Sequence, residues 1–125
     1  MKFHHIGIAC NDIYTEIEKL KKIHSISKVS DVIYDENQKA SICMVTLSSG
    51  FNIELVSGET VKKFVKSIAT PYHICYSCSD IEVEIENILS NGGVLVSNPK
   101  SAKLFNNRKV AFLFVSYGLI ELLEE

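Results

Sequence analysis

Two spacings of apolar residues alternate along this chain. Residues 2–9, KFHHIGIA, read as an apolar strand. Then the period lengthens. Ile13, Ile17, Leu20 and Ile23 fall on one helical face, with Asn11 or Asp12 as the N-cap. Glu16 and Glu18 occupy the early turns and Lys19, Lys21 and Lys22 the later ones, as the helix dipole favours. Strand patterns follow at 27–34, 39–47 and 50–57, separated by the turn residues Asp35–Asn37 and Ser48–Gly50. Gly58 opens a linker in which 60–68 reads as a short amphipathic helix, and Pro71 punctuates its end. The order then repeats. A strand at 72–78 precedes Ser79 or Asp80 as a cap, and Ile81, Ile85, Ile88 and Leu89 form a buried stripe. Asn91, Gly92 and Gly93 end that helix by accepting left-handed geometry. Strands at 94–97, 109–116 and 118–124 complete the second round, with 98–107 as a loop carrying Pro99 and two adjacent asparagines.

The repetition extends to residue identity. Residues 5–20, HIGIACNDIYTEIEKL, and 73–88, HICYSCSDIEVEIENI, agree at eight of sixteen positions. FNIELVSGE at 51–59 is echoed by YGLIELLEE at 117–125. Such self-similarity fixes architecture before any local reading. It predicts an α+β fold of two βαβββ modules, 1–58 and 71–125, joined by linker 59–70. Their sheets are expected to lie edge to edge as a curved, cup-shaped mixed sheet with the helices outside, a surface suited to holding a small ligand.

The totals narrow the function classes. A chain of 125 residues is one domain with a self-sufficient core. A net charge of −2, with no long run of Lys and Arg, gives no field suited to nucleic acid. No unbroken apolar segment approaches a membrane span, and the first residues enter a strand directly without a charged-then-apolar leader. These features predict a complete cytoplasmic protein with no nucleic-acid or membrane partner. Cys75 and Cys78 form a C-x-x-C, but on a strand they point to opposite faces, and no second such pair completes a zinc site. Cys10, Cys43, Cys75 and Cys78 therefore read as buried free thiols.

The repeat also carries chemistry. His5 and His73 occupy matching places, as do Glu54 and Glu121, each glutamate between apolar strand neighbours. A single histidine in an apolar strand is ordinarily a hydrogen-bonded core residue, and a carboxylate there ordinarily faces solvent. Symmetric duplication of both shifts the reading to metal ligands. His4 should face away from His5, and His24 sits at a helix end where a cation suits the dipole. Imidazole and carboxylate donors suit Co, Ni, Zn, Mn or Fe. Four ligands leave two positions open on a six-coordinate ion, which implies catalysis.

H-x-G-I-A-x-x-D-I at the start, I-E-L around Glu54, Y-H-I-x-Y-x-x-x-D-I-E from Tyr72 and the closing G-L-I-E-L-L-E resemble the vicinal oxygen chelate superfamily. That superfamily includes glyoxalase I, methylmalonyl-CoA epimerase, extradiol dioxygenases and bleomycin-resistance proteins. The resemblance covers essentially the whole chain and implies a single glyoxalase-like domain over 1–125. R-K-V-A-F-L-F from Arg108 and the closing segment are most similar to the epimerase-like branch. The resemblance implies metal ligation by His5, Glu54, His73 and Glu121, with one divalent ion per chain. It implies proton transfer α to a carbonyl, with Glu121 as an acid–base group and Glu36, in Asp35-Glu36-Asn37-Gln38, as a second one. A small-molecule substrate, an acyl-CoA or a thiol adduct, and a homodimer are implied as well. Epimerases of this kind carry Gln where this chain has Glu54. Glutamate there is similar to glyoxalase I, so a lactoylglutathione lyase-type activity is the alternative. A metal-free drug-binding protein is a second alternative, disfavoured by the full ligand set. Lys100, Lys103, Arg108 and Lys109 are candidates for holding an anionic group of the substrate, or else a solvated loop.

Overall fold

A computed structural model describes residues 1–125. It contains β1 (Lys2–Ala9), α1 (Ile13–Ile23), β2 (Ile26–Val29), β3 (Ile33–Asp35), β4 (Ala40–Leu47), β5 (Asn52–Ser57), β6 (Thr70–Cys78), α2 (Ile81–Ser90), β7 (Val94–Ala102), β8 (Arg108–Val115) and β9 (Gly118–Glu124). This is the α+β fold of two repeated βαβββ modules. Two compact units make up the chain: His5–Tyr72, and Met1–His4 together with His73–Glu125.

In the first unit the strand order is β2-β4-β5-β1, with β3 also on β4. β1 and β5 run parallel, and the remaining pairs are antiparallel. Alternation sends Cys43, Val45, Ile53 and Leu55 to one face, where they pack with Cys10, Ile13 and Ile17 of the helix side. Asp12 caps α1 by accepting from the Tyr14 amide at 3.0 Å. In the second unit the order is β6-β9-β8-β7, with β6 and β9 parallel. Ala111, Leu113, Ile120 and Leu122 pack with Cys78, Ile81, Ile85 and Ile88. Asp80 caps α2, accepting from the amides of Glu82 and Val83.

Several local expectations are corrected. The strand expected at 27–34 is broken into β2 and β3. Ser30 interrupts it, because its hydroxyl accepts from the Met44 amide at 2.8 Å where a ladder carbonyl would stand. The helix expected at 60–68 is a single 3₁₀ turn, Lys62–Phe64, with no side-chain cap and no buried residue of its own. β6 begins at Thr70 and includes Pro71. The loop expected at 98–107 is largely strand. β7 continues to Ala102 through two register shifts, and it pairs on one side only, so Pro99 costs no ladder bond. The turn is confined to a 3₁₀ turn at Lys103–Phe105 and to Asn106 and Asn107, both left-handed at φ 57° and 65°. Ile23 and Leu89, assigned to the buried stripes, are 77% and 41% exposed: Ile23 is the last residue of α1, and Leu89 stands one helical step around from the still-buried Ile88. Of the two helix-ending glycines only Gly92 is left-handed, at φ 95°. Gly93 is required for a different reason: a Cβ there would run into Ile88.

Candidate metal centre

The strand pleat decides which side chains can reach a ligand. In β1, Ile6 and Ile8 pack against the helix-side core, so His5 projects from the opposite face. In β5, Ile53 and Leu55 belong to that core, and Glu54 between them projects the same way as His5. The parallel register sets Gly7 beside Glu54, so His5 lies one pleat from the carboxylate. His5 Nε2 and Glu54 Oε1 are 3.6 Å apart, and the residues are 0% and 1% exposed.

The second unit repeats this construction from different neighbours. Ile120 and Leu122 are in its core, leaving Glu121 on the other face, and the register sets Cys75 beside Glu121. His73 Nε2 and Glu121 Oε1 are 3.5 Å apart, again fully or almost fully buried. The Phe112 ring stands edge-on to the His73 imidazole, centroids 5.4 Å apart, which limits the ring's rotation.

Each pair has the chemistry of a half-site. A charge-assisted N–H···O bond closes to about 2.7–2.9 Å. These pairs stand off by 3.5 and 3.6 Å. Two neighbouring donors that each lie about 2.0–2.2 Å from a shared ion are about 3.0 Å apart at the right angle of a six-coordinate ion and about 3.4 Å apart at a tetrahedral angle. Both pairs thus stand at an ion-sharing spacing a little wider than either. Nitrogen and oxygen donors in a water-excluded setting fit a borderline or hard divalent ion. The four expected ligands are thus brought together as His5 with Glu54 and His73 with Glu121.

The other expected residues divide. Glu36 is exposed, in the turn between β3 and β4. Its neighbour Asp35, read from the sequence only as a turn residue, is the buried carboxylate at 2% exposure. It accepts from the amides of Asn37 at 2.9 Å and Gln38 at 3.3 Å. An Asp at the start of a polar tetrapeptide is the signal for such a turn. The basic residues do not form one cluster. Lys100 is paired with Val110 and Lys109 with Ser101, which puts the two lysines on opposite faces of the strand pair. Arg108 is held by its own turn, donating through Nε to the Phe105 carbonyl at 3.1 Å with its guanidinium 5.8 Å from the Phe105 ring. All four cysteines are free and buried. Burial pushes the Cys10 thiol up to about 12 and the Cys78 thiol up to about 11, so neither is a reactive thiolate near neutral pH.

The sequence matches the family described as the glyoxalase/bleomycin resistance protein/dioxygenase superfamily over residues 4–112. The chain belongs to that superfamily. No curated protein matches the sequence significantly. Among solved structures, this superfamily member is similar to methylmalonyl-CoA epimerase from Mycobacterium tuberculosis, with a TM-score of 0.81 and 20% identity over 98% of this chain and 87% of the other. It is also similar to glyoxalase I from Zea mays, with a TM-score of 0.68 and 20% identity over 100% of this chain and 43% of the other. A third likeness is to the Mn(II)-bound glyoxalase from Novosphingobium aromaticivorans, with a TM-score of 0.63 and 11% identity over 98% and 38% of the two chains. At these identities the likeness establishes the superfamily's fold. No helix of the chain is long and apolar enough to cross a membrane.

Proposed function

We propose that the protein is a metal-dependent isomerase that moves a proton α to a carbonyl, most like a methylmalonyl-CoA epimerase. The observation that carries the proposal is the duplicated buried His–Glu pair, His5 with Glu54 and His73 with Glu121. Two modules that diverge over most of their length have kept the same costly buried donors at the same register. In this reading the four residues hold one divalent ion, which would supply Lewis-acid stabilisation of a developing enolate oxygen. Glu121 removes the α proton, a task for a carboxylate held beside the reacting carbon. Glu36 returns a proton from the opposite face, so its loss should leave exchange intact and abolish inversion.

Elemental analysis of purified protein should find one divalent ion per chain, lost in His5→Ala and His73→Ala. Metal-dependent deuterium incorporation at the α carbon of methylmalonyl-CoA supports the epimerase reading. The carboxylate at Glu54, where the epimerases have an amide, favours a second reading as a glyoxalase I-type lyase. Activity confined to the hemithioacetal of methylglyoxal would give the assignment to that reading. Protein that holds no metal and moves no proton would instead be a drug-binding member. The same proposal takes the protein as a cytoplasmic homodimer, and sedimentation of the purified chain tests the oligomer.

A further inference from the structure

The residues one pleat away from Glu121 form an apolar row that the fold itself does not require. On β8 and β9, Phe112 is paired with Glu121, and the next pair on the same face is Phe114 with Leu119. On the outer side, Val94 of β7 is paired with Phe114. Val94, Phe114 and Leu119 therefore lie side by side across three strands, about 7 Å along the strands from the Glu121 row. Their helix-side neighbours, Leu113 and Ile120, are 0% and 1% exposed, whereas Phe114 is 48% and Val94 61% exposed. The face that carries the carboxylate thus also carries an uncovered aromatic ring.

The first module shows that the fold does not demand this. There Met44 is paired with Glu54, and the next pair is Thr46 with Asn52. Thr46 Oγ1 donates to Asn52 Oδ1 at 2.8 Å. At matched register one module holds a hydroxyl–amide pair and the other a phenylalanine–leucine pair. The difference lies on the site face while the helix-side cores stay alike. An exposed phenylalanine beside a half-buried leucine, in line with the proposed proton-moving group and replaced by polar residues in the other module, is explained by what binds there.

The geometry points to Phe114, Leu119 and Val94 as the specificity determinants of the reaction. They would receive an apolar substituent of the substrate, a phenyl ring or an alkyl chain of three or four carbons. A methyl group beside the reacting carbon is too short to reach them. This rests on the reading of Glu121 as the proton-moving group. The substrate class becomes a carbonyl compound with an apolar arm, in preference to the smallest members of either candidate substrate family.

The test separates binding from catalysis. Phenylglyoxylate and pyruvate are 2-oxo acids that differ in a phenyl against a methyl group. Their affinities for the metal-loaded protein are measured by calorimetry. Phenylglyoxylate should bind at least roughly tenfold more tightly, the scale of burying a ring in an apolar site. The double substitution Phe114→Thr with Leu119→Asn copies the pair that the first module already accommodates. It should bring the ratio close to one. A flat ratio in the wild type, or an unchanged ratio in the double variant, overturns the inference. If metal-dependent α-exchange is present while the ratio is flat, the specificity assignment fails alone. A steep ratio without exchange on any carbonyl substrate means that the proposed reaction fails and the apolar subsite stands. A wild-type dimer that the double substitution dissociates, with the ratio unmoved, would show that the row is an interface between copies instead.

Discussion

The two modules are the same structure with different outlooks. On the helix side they match residue for residue. Cys10, Ile13 and Ile17 answer to Cys78, Ile81 and Ile85, and Val45, Ile53 and Leu55 answer to Leu113, Ile120 and Leu122. Asp12 and Asp80 cap the two helices in the same way. On the opposite face the likeness covers the His–Glu pair and the buried apolar pair on one side of it, Ile42 with Val56 and Val110 with Leu123. On its other side, Met44 stands against Phe112, Thr46 against Phe114 and Asn52 against Leu119. Divergence that leaves a core and one polar pair untouched but rewrites one flank separates two demands. The core and the pair are common to both modules, and the modules differ in the flank that the proposed specificity row occupies.

The largest effect should come from breaking the symmetry of the two carboxylates. Glu54 and Glu121 are equally buried and equally spaced from their histidines. As proposed ligands they are equivalent, since the amide oxygen of a glutamine still offers lone pairs. In the proposed mechanism only Glu121 of the two carries the proton. Glu121→Gln should lower the exchange rate about 10³-fold, within the range of general acid–base catalysis, with metal content and substrate affinity little changed. Glu54→Gln should stay within about tenfold of the wild type. Equal losses in the two variants would show that the second module does not own the proton-transfer step.

Next in size is the shared core. Leu55 and Leu122 are 1% and 0% exposed and stand at equivalent places on β5 and β9. Replacing either by Ala removes the same buried methyl groups, and each should cost about 3 kcal/mol in urea unfolding. A gap of more than about 2 kcal/mol between them, beyond the usual spread of such cavities, would mean that the modules are alike in outline only.

How far this comparison could be read from the sequence differs between the two faces. The helix-side core was legible, because Ile13 and Ile17, and Ile81 and Ile85, keep helical spacing and the strands alternate. The His–Glu pairs were legible through duplication, which no single strand would have revealed. The breaks were not. Ser30 looks like any strand serine until its hydroxyl is seen at the Met44 amide. Pro99 reads as a loop residue until β7 proves to pair on one side only. The contrast between Thr46 with Asn52 and Phe114 with Leu119 was hidden for a related reason. It depends on which residues are opposite one another across strands, and register is a tertiary property.

The buried thiols offer a smaller contrast. Burial, reinforced by Glu16 and Asp12, pushes the Cys10 thiol up to about 12. Burial with Glu84 and Glu124 pushes Cys78 up to about 11. Both values exceed the ordinary 9.0, so the folded protein holds these protons more tightly than the unfolded chain does. Their stabilising contribution is complete below about pH 9 and is lost as pH rises through the folded values. Urea stability should therefore decline above pH 9. Thiolate absorbance attributable to Cys10 and Cys78, read as the difference from the Cys10→Ser and Cys78→Ser variants, should develop only well above pH 9. Ionisation of both at the ordinary value would contradict their burial.

The smallest effect concerns the caps. Asp80 accepts from two backbone amides, Glu82 at 3.1 Å and Val83 at 3.2 Å, and so satisfies two of the donors that a helix start leaves unpaired. Asp12 accepts from one, Tyr14 at 3.0 Å, and its second oxygen takes the Thr15 hydroxyl, which water would otherwise serve. Asp80→Ala should cost about 1 kcal/mol and Asp12→Ala about half that. Thr15→Ala should leave the Asp12 cap nearly unchanged, since only the side-chain bond is lost. Hydrogen exchange at the first turn of each helix reads the two losses separately. If Asp12→Ala proves the more damaging, the backbone-amide count does not set the strength of these caps, and the two helix starts differ in a way their matched sequences conceal.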